Sequence, residues 1–327
     1  IKICSHRGPD GNRVWWDPDN KLTLGHNLLS IMSDPKLSVQ PWKTPAGNWL
    51  IYNGEIFNYY ELKDKYKRRG FAGITGCDTE LLAWGLDTFG LDFLNEIDSM
   101  HSFAYYRVKQ DELWISRDHA GIKPLYYAEV KQGLIFGSEI KGLLKYVDKS
   151  NIIDPLAFSS MAHVGLNPTA NTFFTNIKKL LSGETIVYDL RNKKIKNKKR
   201  NLIIPKNNHT FDPEEFRAVT RESVKLCSIG RRKIGIFLSG GLDSGMVAYE
   251  YKQLHGTANT YTNNMDPNII WREDDHNDDH NKALQLAKQY GFNHKVVTMT
   301  PKILTEMWDS SIYFMEQPVY NPSMVMY

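Results

Sequence analysis

The sequence predicts an α+β domain over residues 1–207 followed by an α/β domain with a parallel sheet over residues 208–327. Three observations carry this reading. Short aromatic and β-branched runs separated by turn residues fill the first part, the signature of antiparallel sheet. From Asp212 onward strands and helices alternate, as a parallel sheet with crossover helices requires. Between one such strand and its helix stands Ser239-Gly240-Gly241-Leu242-Asp243-Ser244, a turn made almost entirely of small and acidic residues.

In the first domain, Trp49-Leu50-Ile51-Tyr52 runs into the turn signal Asn53-Gly54. Ser102 to Val108, Leu113 to Ser116, Leu125 to Ala128 and Gly133 to Phe136 continue the strand series. Asn58 to Arg69 and Asp78 to Phe89 carry helical spacing instead. Leu81, Leu82, Trp84, Gly85 and Leu86 point to more than one side of the second helix, so it is expected to lie buried between layers. After the strand Glu184 to Tyr188, the basic run Asn192 to Arg200 reads as a solvated hairpin tip leading to a linker. It lacks the interleaved aromatics of a nucleic-acid site. The domain boundary is placed near Pro205 to His209.

The second domain opens with Asp212-Pro213-Glu214-Glu215, an acidic cap and a proline in the first helical turn. Phe216, Val219, Val224 and Cys227 give that helix an apolar stripe, which places Cys227 in the core. Next come a strand from Ile234 to Leu238, the glycine turn, and a helix from about Met246 with Ser244 as its N-cap. A strand near Thr260, a helix from Asp278 to Tyr290 and the strand Lys295 to Val297 complete the alternation. Gly240 and Gly241 let backbone N–H groups approach an anion, and the helix dipole favours its charge, so the turn reads as a phosphate cradle. Asp243 is the candidate for a divalent cation on that phosphate. There is no Gly-x-x-x-x-Gly-Lys, and Ser244 stands one place too late for a Gly-x-Ser-x-Gly nucleophile elbow. Arg272 to His280 has metal-ligand residue types but reads as a polar loop ending in a capped helix, and no metal is assigned there.

The chain has 327 residues, 41% of them apolar and 24% charged, the balance of a globular protein. A net charge of +4 is too small to argue for a nucleic-acid or membrane partner. The three cysteines are odd in number and widely spaced, which points to a reducing, cytoplasmic setting and away from a disulfide frame. No apolar run is long enough to span a bilayer and no leader pattern opens the chain. The first residue is Ile rather than Met, so the gene product need not begin there.

Further strings fall in one order along the chain. His6-Arg7-Gly8-Pro9-Asp10-Gly11, Asn53-Gly54-Glu55-Ile56-Phe57-Asn58, Cys77-Asp78-Thr79-Glu80, Arg117 to Tyr127 and Phe136-Gly137-Ser138-Glu139-Ile140-Lys141 resemble the motifs of the class II glutamine amidotransferase domain of asparagine synthetases. Ser239 to Ser244 resembles the pyrophosphate loop of the ATP pyrophosphatases, and Glu316-Gln317-Pro318, Pro322-Ser323 and Tyr327 follow in register. The resemblance implies a four-layer αββα domain of the N-terminal-nucleophile type, then a synthetase domain. It implies that glutamine is hydrolysed in the first and that a carboxylate, aspartate above all, is adenylated and amidated in the second. Carried over residue by residue, Asp78 holds the glutamine ammonium and Asn53 the oxyanion. Leu28, Leu29, Ser30, Ile31, Met32, Gly54 and Glu55 complete the glutamine pocket. Leu238, Ser239, Gly240, Gly241, Leu242, Asp243, Ser244 and Asn263 meet ATP and its pyrophosphate, and Asp243 binds Mg²⁺. ATP and Mg²⁺ are the implied cofactors, and the resemblance leaves room for a homodimer.

Departures qualify the expectation. The family's nucleophile is an N-terminal Cys activated by its own amine, and it is not in this chain; Cys4, immediately before His6, reads as structural. Either a segment precedes the chain or the glutaminase has been lost, as in the related β-lactam synthetases. Leu28 stands where the family has an Arg that pairs with the substrate carboxylate, a loss of about 1.5–3 kcal/mol. Asp98-Ser99-Met100-His101 has Ser and His where Gly and an aromatic are usual, and Asn263-Asn264 replaces an aliphatic residue and Gly beside adenine. The family's second acidic magnesium motif and its catalytic Lys lie beyond Tyr327, so the synthetase domain is expected to continue. The alternatives are therefore a glutaminase-inactive ligase or cyclase, an amidotransferase acting on a sugar or peptide carboxylate, and a non-catalytic relic.

Overall fold

A computed structural model of the chain describes residues 1–19, 21–148, 153–165, 167–203, 210–266 and 278–318. It divides into two units, Ile1–Pro205 and Lys206–Tyr327.

In the first unit β1 (Gly11–Trp16) and β2 (Thr23–Leu28) pair as a separate antiparallel hairpin. Along the chain follow β3 (Trp42–Lys43), β4 (Trp49–Ile56), α1 (Tyr59–Lys67), α2 (Asp78–Phe89), β5 (Ser99–Arg107), β6 (Glu112–Arg117), β7 (Tyr126–Val130), β8 (Gly133–Gly137), α3 (Pro155–Val164), β9 (Lys178–Lys179), β10 (Glu184–Asp189) and β11 (Lys194–Arg200). They build an antiparallel six-stranded sheet in the order β11-β10-β6-β5-β4-β3 and a smaller sheet in the order β8-β7-β9. The pleat of β5 divides the core. Phe103 and Tyr105 join Leu50, Tyr52, Tyr59, Leu62, Leu81 and Leu86 on the helix side. Ala104 and Tyr106 face the other way, among Ile115, Leu125, Tyr127 and Ile186. Phe103 to Tyr106 are each at most 2% exposed, so the large sheet is covered on both faces, which is why its central strand lacks polar alternation.

In the first unit one expectation is corrected. Only Asn192 and Lys193 of the exposed basic run lie in the hairpin turn: Lys194 to Arg200 form β11, in antiparallel register with β10 along the sheet edge. Two of its lysines find partners on neighbouring elements, Lys196 on Glu112 at 2.7 Å and Lys198 on the Tyr127 hydroxyl at 2.8 Å. Basic side chains on an edge strand also discourage pairing with another chain.

The second unit comprises α4 (Pro213–Cys227), β12 (Ile236–Phe237), α5 (Leu242–His255), β13 (Asn259–Met265), α6 (Asp278–Tyr290), β14 (Asn293–Met299) and α7 (Pro301–Met315). The strands form a parallel sheet in the order β12-β13-β14. Ile236, Leu238, Ala248, Ala258, Ala283, Ala287 and Phe292 make its core. Asp212 caps α4 by accepting from Glu214 N at 2.9 Å. Cys227, expected in the core, is exposed, because the helix presents Val224 to the interior while Phe216 and Val219 are 49% and 59% exposed. Ser244 is not the N-cap of α5 either. Gly241 is, and the helix begins at Leu242, because the Ser244 hydroxyl is drawn back to the turn itself. The boundary segment Pro205 to His209, Arg272 to Asn277 and Pro322 to Tyr327 lie outside the described residues. Among the described residues no helix is long and apolar enough to cross a membrane.

Candidate functional site

The motif strings of the first unit converge on one cavity of about 1130 Å³. The segment Leu28 to Met32 forms part of its wall and is fixed by the first string: Asp10 N donates to Leu28 O at 3.0 Å, and Asp10 Oδ2 accepts from Ser30 N at 2.8 Å. Leu28 is 7% exposed and Leu29 47%, so the wall is apolar where a guanidinium would change its character. Asn53 and Gly54 line the same cavity from the end of β4. Gly54 is required there by close approach: a β-carbon would stand 2.3 Å from Met100 O. The Asn53 Nδ2 is buried without a hydrogen-bond partner among the described residues, an orphaned donor in a cavity wall.

Asp78 reaches the cavity from the first turn of α2, 5% exposed. Its Oδ2 accepts from Ile56 N at 3.1 Å and the Tyr52 hydroxyl at 3.2 Å, and its Oδ1 from Thr79 N at 3.0 Å. The Cys77 thiol adds a long contact at 3.6 Å. Burial raises the Asp78 pKa, and the donors from Ile56 and Tyr52 oppose that. Glu55 departs from expectation. It is 5% exposed and not part of the cavity wall, since its carboxyl lies within the packed interior; burial first and the charge of Asp78 second push it up to about 7, with Lys123 opposing. His26 Nε2 meets Tyr52 O at 3.1 Å, and burial pushes this imidazole down to about 4, so it is neutral.

Lys123 is a cavity residue that motif reading passed over, although it stands inside a quoted string. Its backbone is held twice, its N–H on Asp118 Oδ2 at 3.0 Å and its carbonyl under Arg117 Nε at 2.6 Å. Its half-buried ammonium makes no hydrogen bond among the described residues, and burial and Arg7 lower its pKa against Glu55 and Asp118. Only the charge pattern of the folded pocket gives it prominence.

Neither thiol near the cavity favours the thiolate. Burial and then Glu139 push Cys4 up to about 11, and burial and then Asp78 raise Cys77. Cys4 belongs to a structural cluster in which Glu139 meets His6 Nε2 at 2.8 Å and Lys141 Nζ at 2.9 Å, tying the first and last strings of the domain together. The departures Ser99 and His101 are partners of each other, with Ser99 Oγ 2.8 Å from His101 Nδ1. His101 is 2% exposed, and burial holds it neutral, down to about 4.

In the second unit the Ser239 to Ser244 turn joins the C-terminal end of β12 to the start of α5. Leu238 N donates to Tyr261 O at 2.7 Å, so the turn emerges level with Tyr261 and Asn263 follows on the neighbouring strand β13. Ser244 Oγ accepts from Ser239 N at 3.2 Å and lies 3.0 Å from Ser239 Oγ, closing the turn on itself. Gly240 has φ +77°, and its place against α6 is so tight that a β-carbon would stand 2.6 Å from Asp279 O. Only glycine fits. Asp243 lies exposed in the first turn of α5, where the helix dipole favours an anion. No group of three or more His, Cys, Asp or Glu that could hold a metal is gathered among the described residues. A single carboxylate in the first turn of a helix would suit a Mg²⁺ whose other ligands came from a bound polyphosphate and water.

Comparison with known proteins matches both units. The family model described as "Glutamine amidotransferase domain" matches residues 1–200, and that described as "Asparagine synthase" matches residues 215–327. A putative asparagine synthetase [glutamine-hydrolyzing] 2 of Methanocaldococcus jannaschii is 30% identical over 269 residues, covering 75% of this chain and 52% of that protein. Asparagine synthetase [glutamine-hydrolyzing] 2 of Bacillus subtilis is 30% identical over 307 residues, covering 86% of this chain and 40% of its own length. The chain thus spans about half the length of the curated relatives it matches. The solved glutamine phosphoribosylpyrophosphate amidotransferase of B. subtilis is 16% identical, covers 68% of this chain and 48% of its own, and has a TM-score of 0.36. The two family matches follow one another along the chain in the order of its two units, and the chain belongs to the glutamine-hydrolysing asparagine synthetase family, with a glutamine amidotransferase domain followed by an asparagine synthase domain.

Proposed function

We propose that this chain contributes to an ATP-dependent amidation of a carboxylate, most directly aspartate to asparagine, with ammonia from glutamine and release of AMP and pyrophosphate. The observation that carries the reading is the Ser239 to Ser244 turn, set between a parallel strand and a helix N-terminus with a glycine that tolerates no side chain. Residues 1–207 are then the amidotransferase domain, of the four-layer αββα N-terminal-nucleophile type, and residues 208–327 are part of the synthetase domain.

In the first domain a zwitterionic amino acid needs an acid for its ammonium and a cation for its carboxylate. Asp78 supplies the acid. The thiol contact at 3.6 Å is the weakest of those on its carboxylate and the one an ammonium would displace. Lys123 is a half-buried cavity cation with no hydrogen-bonded partner among the described residues, and Leu28 to Met32 would hold the aliphatic stem. The orphaned Asn53 Nδ2 gives an amide oxygen, and the oxyanion that develops on it, a donor already desolvated. In the second domain Gly240, Gly241 and the first turn of α5 would hold pyrophosphate oxygens, Ser239 and Ser244 would brace the turn, and Asn263 would flank the nucleotide. Mg²⁺, carried on the phosphates and held by Asp243, would neutralise their charge.

Leu28 favours a second reading, a glutaminase-inactive first domain serving a ligase fed by free ammonia or by an internal amine. Pyrophosphate release from the native gene product decides between them. Release that requires aspartate and is supported by glutamine supports the first reading; release supported by ammonia but never by glutamine supports the second. No release with any carboxylate refutes both.

A further inference from the structure

We propose that Lys282 is a phosphate-binding residue of the Ser239 to Ser244 turn, held beside it by Asp278 until phosphate arrives. The inference rests on reading that turn as a pyrophosphate site and adds to it a side-chain cation from a different element. The turn lies directly on the first turns of α6: a β-carbon on Gly240 would stand 2.6 Å from Lys282 Cβ and 2.8 Å from Ala283 N. The neighbouring contact keeps the same direction, with Leu286 Cδ1 3.3 Å from the corresponding point on Gly245. The Lys282 side chain therefore starts at the turn, and four bonds carry its ammonium roughly 5 Å further.

Helical side chains slant toward the N-terminus, and Lys282 does so, placing Nζ 2.5 Å from Asp278 Oδ2 one turn back. Both partners are more than half exposed, at 53% and 56%, so the pair is weak and solvent-screened. A pyrophosphate offers this ammonium more negative charge than one carboxylate does. The turn also needs the cation. The Ser239 N–H is already spent on Ser244 Oγ at 3.2 Å, and Asp243 sets a carboxylate in the first turn of α5. Lys282 exchanges Asp278 for a phosphate oxygen without moving the backbone.

Calorimetric titration of the full chain with Mg²⁺ and inorganic pyrophosphate, for wild type, K282M, K282R and D278N, tests this. K282M should bind on the order of tenfold more weakly. K282R should stay within about threefold, since it keeps the charge. D278N should bind more tightly, because it frees the ammonium. A merely structural role, pairing at the start of α6, predicts instead that K282M and D278N weaken binding alike, and that result overturns the proposal. Unchanged affinity in K282M overturns it too, leaving the loop reading intact. Wild type that binds neither pyrophosphate nor ATP refutes the loop reading, and this proposal with it. Coincident urea midpoints for wild type and K282M show that a loss lies in binding rather than folding.

Discussion

Replacing Gly240 by alanine imposes two costs that the structure separates. The backbone there has φ +77°, a conformation that costs a residue with a β-carbon about 1–2 kcal/mol. The added carbon also meets Asp279 O and Lys282 Cβ at 2.6 Å and Ala283 N at 2.8 Å, two of the three being backbone of a packed helix. Relief needs the turn and α6 to move apart, an overpacking cost of about 1–3 kcal/mol. Together about 2–5 kcal/mol is removed from a domain whose whole stability is of the order of 5–15 kcal/mol. Gly241 is the internal control. Its φ is −75°, and a β-carbon there would meet only Ser239 Oγ at 3.4 Å, so G241A should cost at most about 1 kcal/mol, as for loss of a glycine N-cap. Urea unfolding with hydrogen exchange resolved over α5 and α6 measures both variants. G240A should lower the midpoint, deprotect both helices and abolish pyrophosphate release. A G240A protein with the wild-type midpoint, or a G241A protein equally unstable, refutes the argument that close approach to α6 dictates this glycine.

Other outcomes follow from the same geometry. Asp243→Ala should abolish ATP cleavage with little loss of stability, since Asp243 is exposed; turnover retained in a pyrophosphate assay contradicts its role. Asp78→Asn should cost about 1–3 kcal/mol, because an amide cannot accept from Ile56, Tyr52 and Thr79 together, and should also remove glutamine binding; an unchanged thermal midpoint contradicts this. Lys123→Met should raise the KM for glutamine about tenfold or more while leaving ammonia-dependent pyrophosphate release unchanged, and an equal loss in both assays points to a structural role. Glu55 is held up at about 7, above its unfolded value, so the folded protein binds more protons than the unfolded chain between pH 4.5 and 7, and stability falls as pH rises through that window by at most about 3 kcal/mol. Glu55→Gln should remove this fall. What remains is the opposite trend from His26 and His101, held down at about 4, which lose stability as pH drops from 6.5 toward 4. Melting curves at pH 5 and 7.5 settle the sign, and equal slopes in wild type and Glu55→Gln refute the assignment.

Where one physical signal dominated, the fold could be read from the sequence. Strict strand and helix alternation after Asp212 marked the parallel sheet, and the helix of Asp78 to Phe89 stood out because Leu81, Leu82 and Leu86 recur at helical spacing. Where two signals competed, the reading failed. Lysine density suggested a solvated tip at Asn192 to Arg200, while the backbone of Lys194 to Arg200 was needed by β10. Ser244 was a plausible cap by residue type, but its hydroxyl serves the turn, and the cap fell to Gly241. Cys227 shared an apolar stripe that the fold leaves largely exposed. Helix α7 carried a legible start that went unread, with Thr300 Oγ1 accepting from Ile303 N at 3.2 Å ahead of Pro301.

The candidate sites divide along the same line. The proposed phosphate turn is visible in local chemistry, because its glycines, hydroxyls and carboxylate lie within six successive residues. The proposed amino-acid pocket is assembled from strings far apart in the chain, and its charge pattern exists only after folding. This explains why one departure is neutral and another is not. Ser99 and His101 satisfy each other at 2.8 Å, so the buried imidazole has its Nδ1 paired. At Leu28 an alkyl wall cannot hold a carboxylate, so in the proposed pocket the compensating charge would come from elsewhere in the cavity. Lys123 stands there, its main chain fixed by Asp118 and Arg117 and its ammonium without a hydrogen-bond partner among the described residues. A lysine gives a point charge where arginine gives a fork, so the pocket that results should bind a carboxylate with less directional selectivity than a guanidinium would impose.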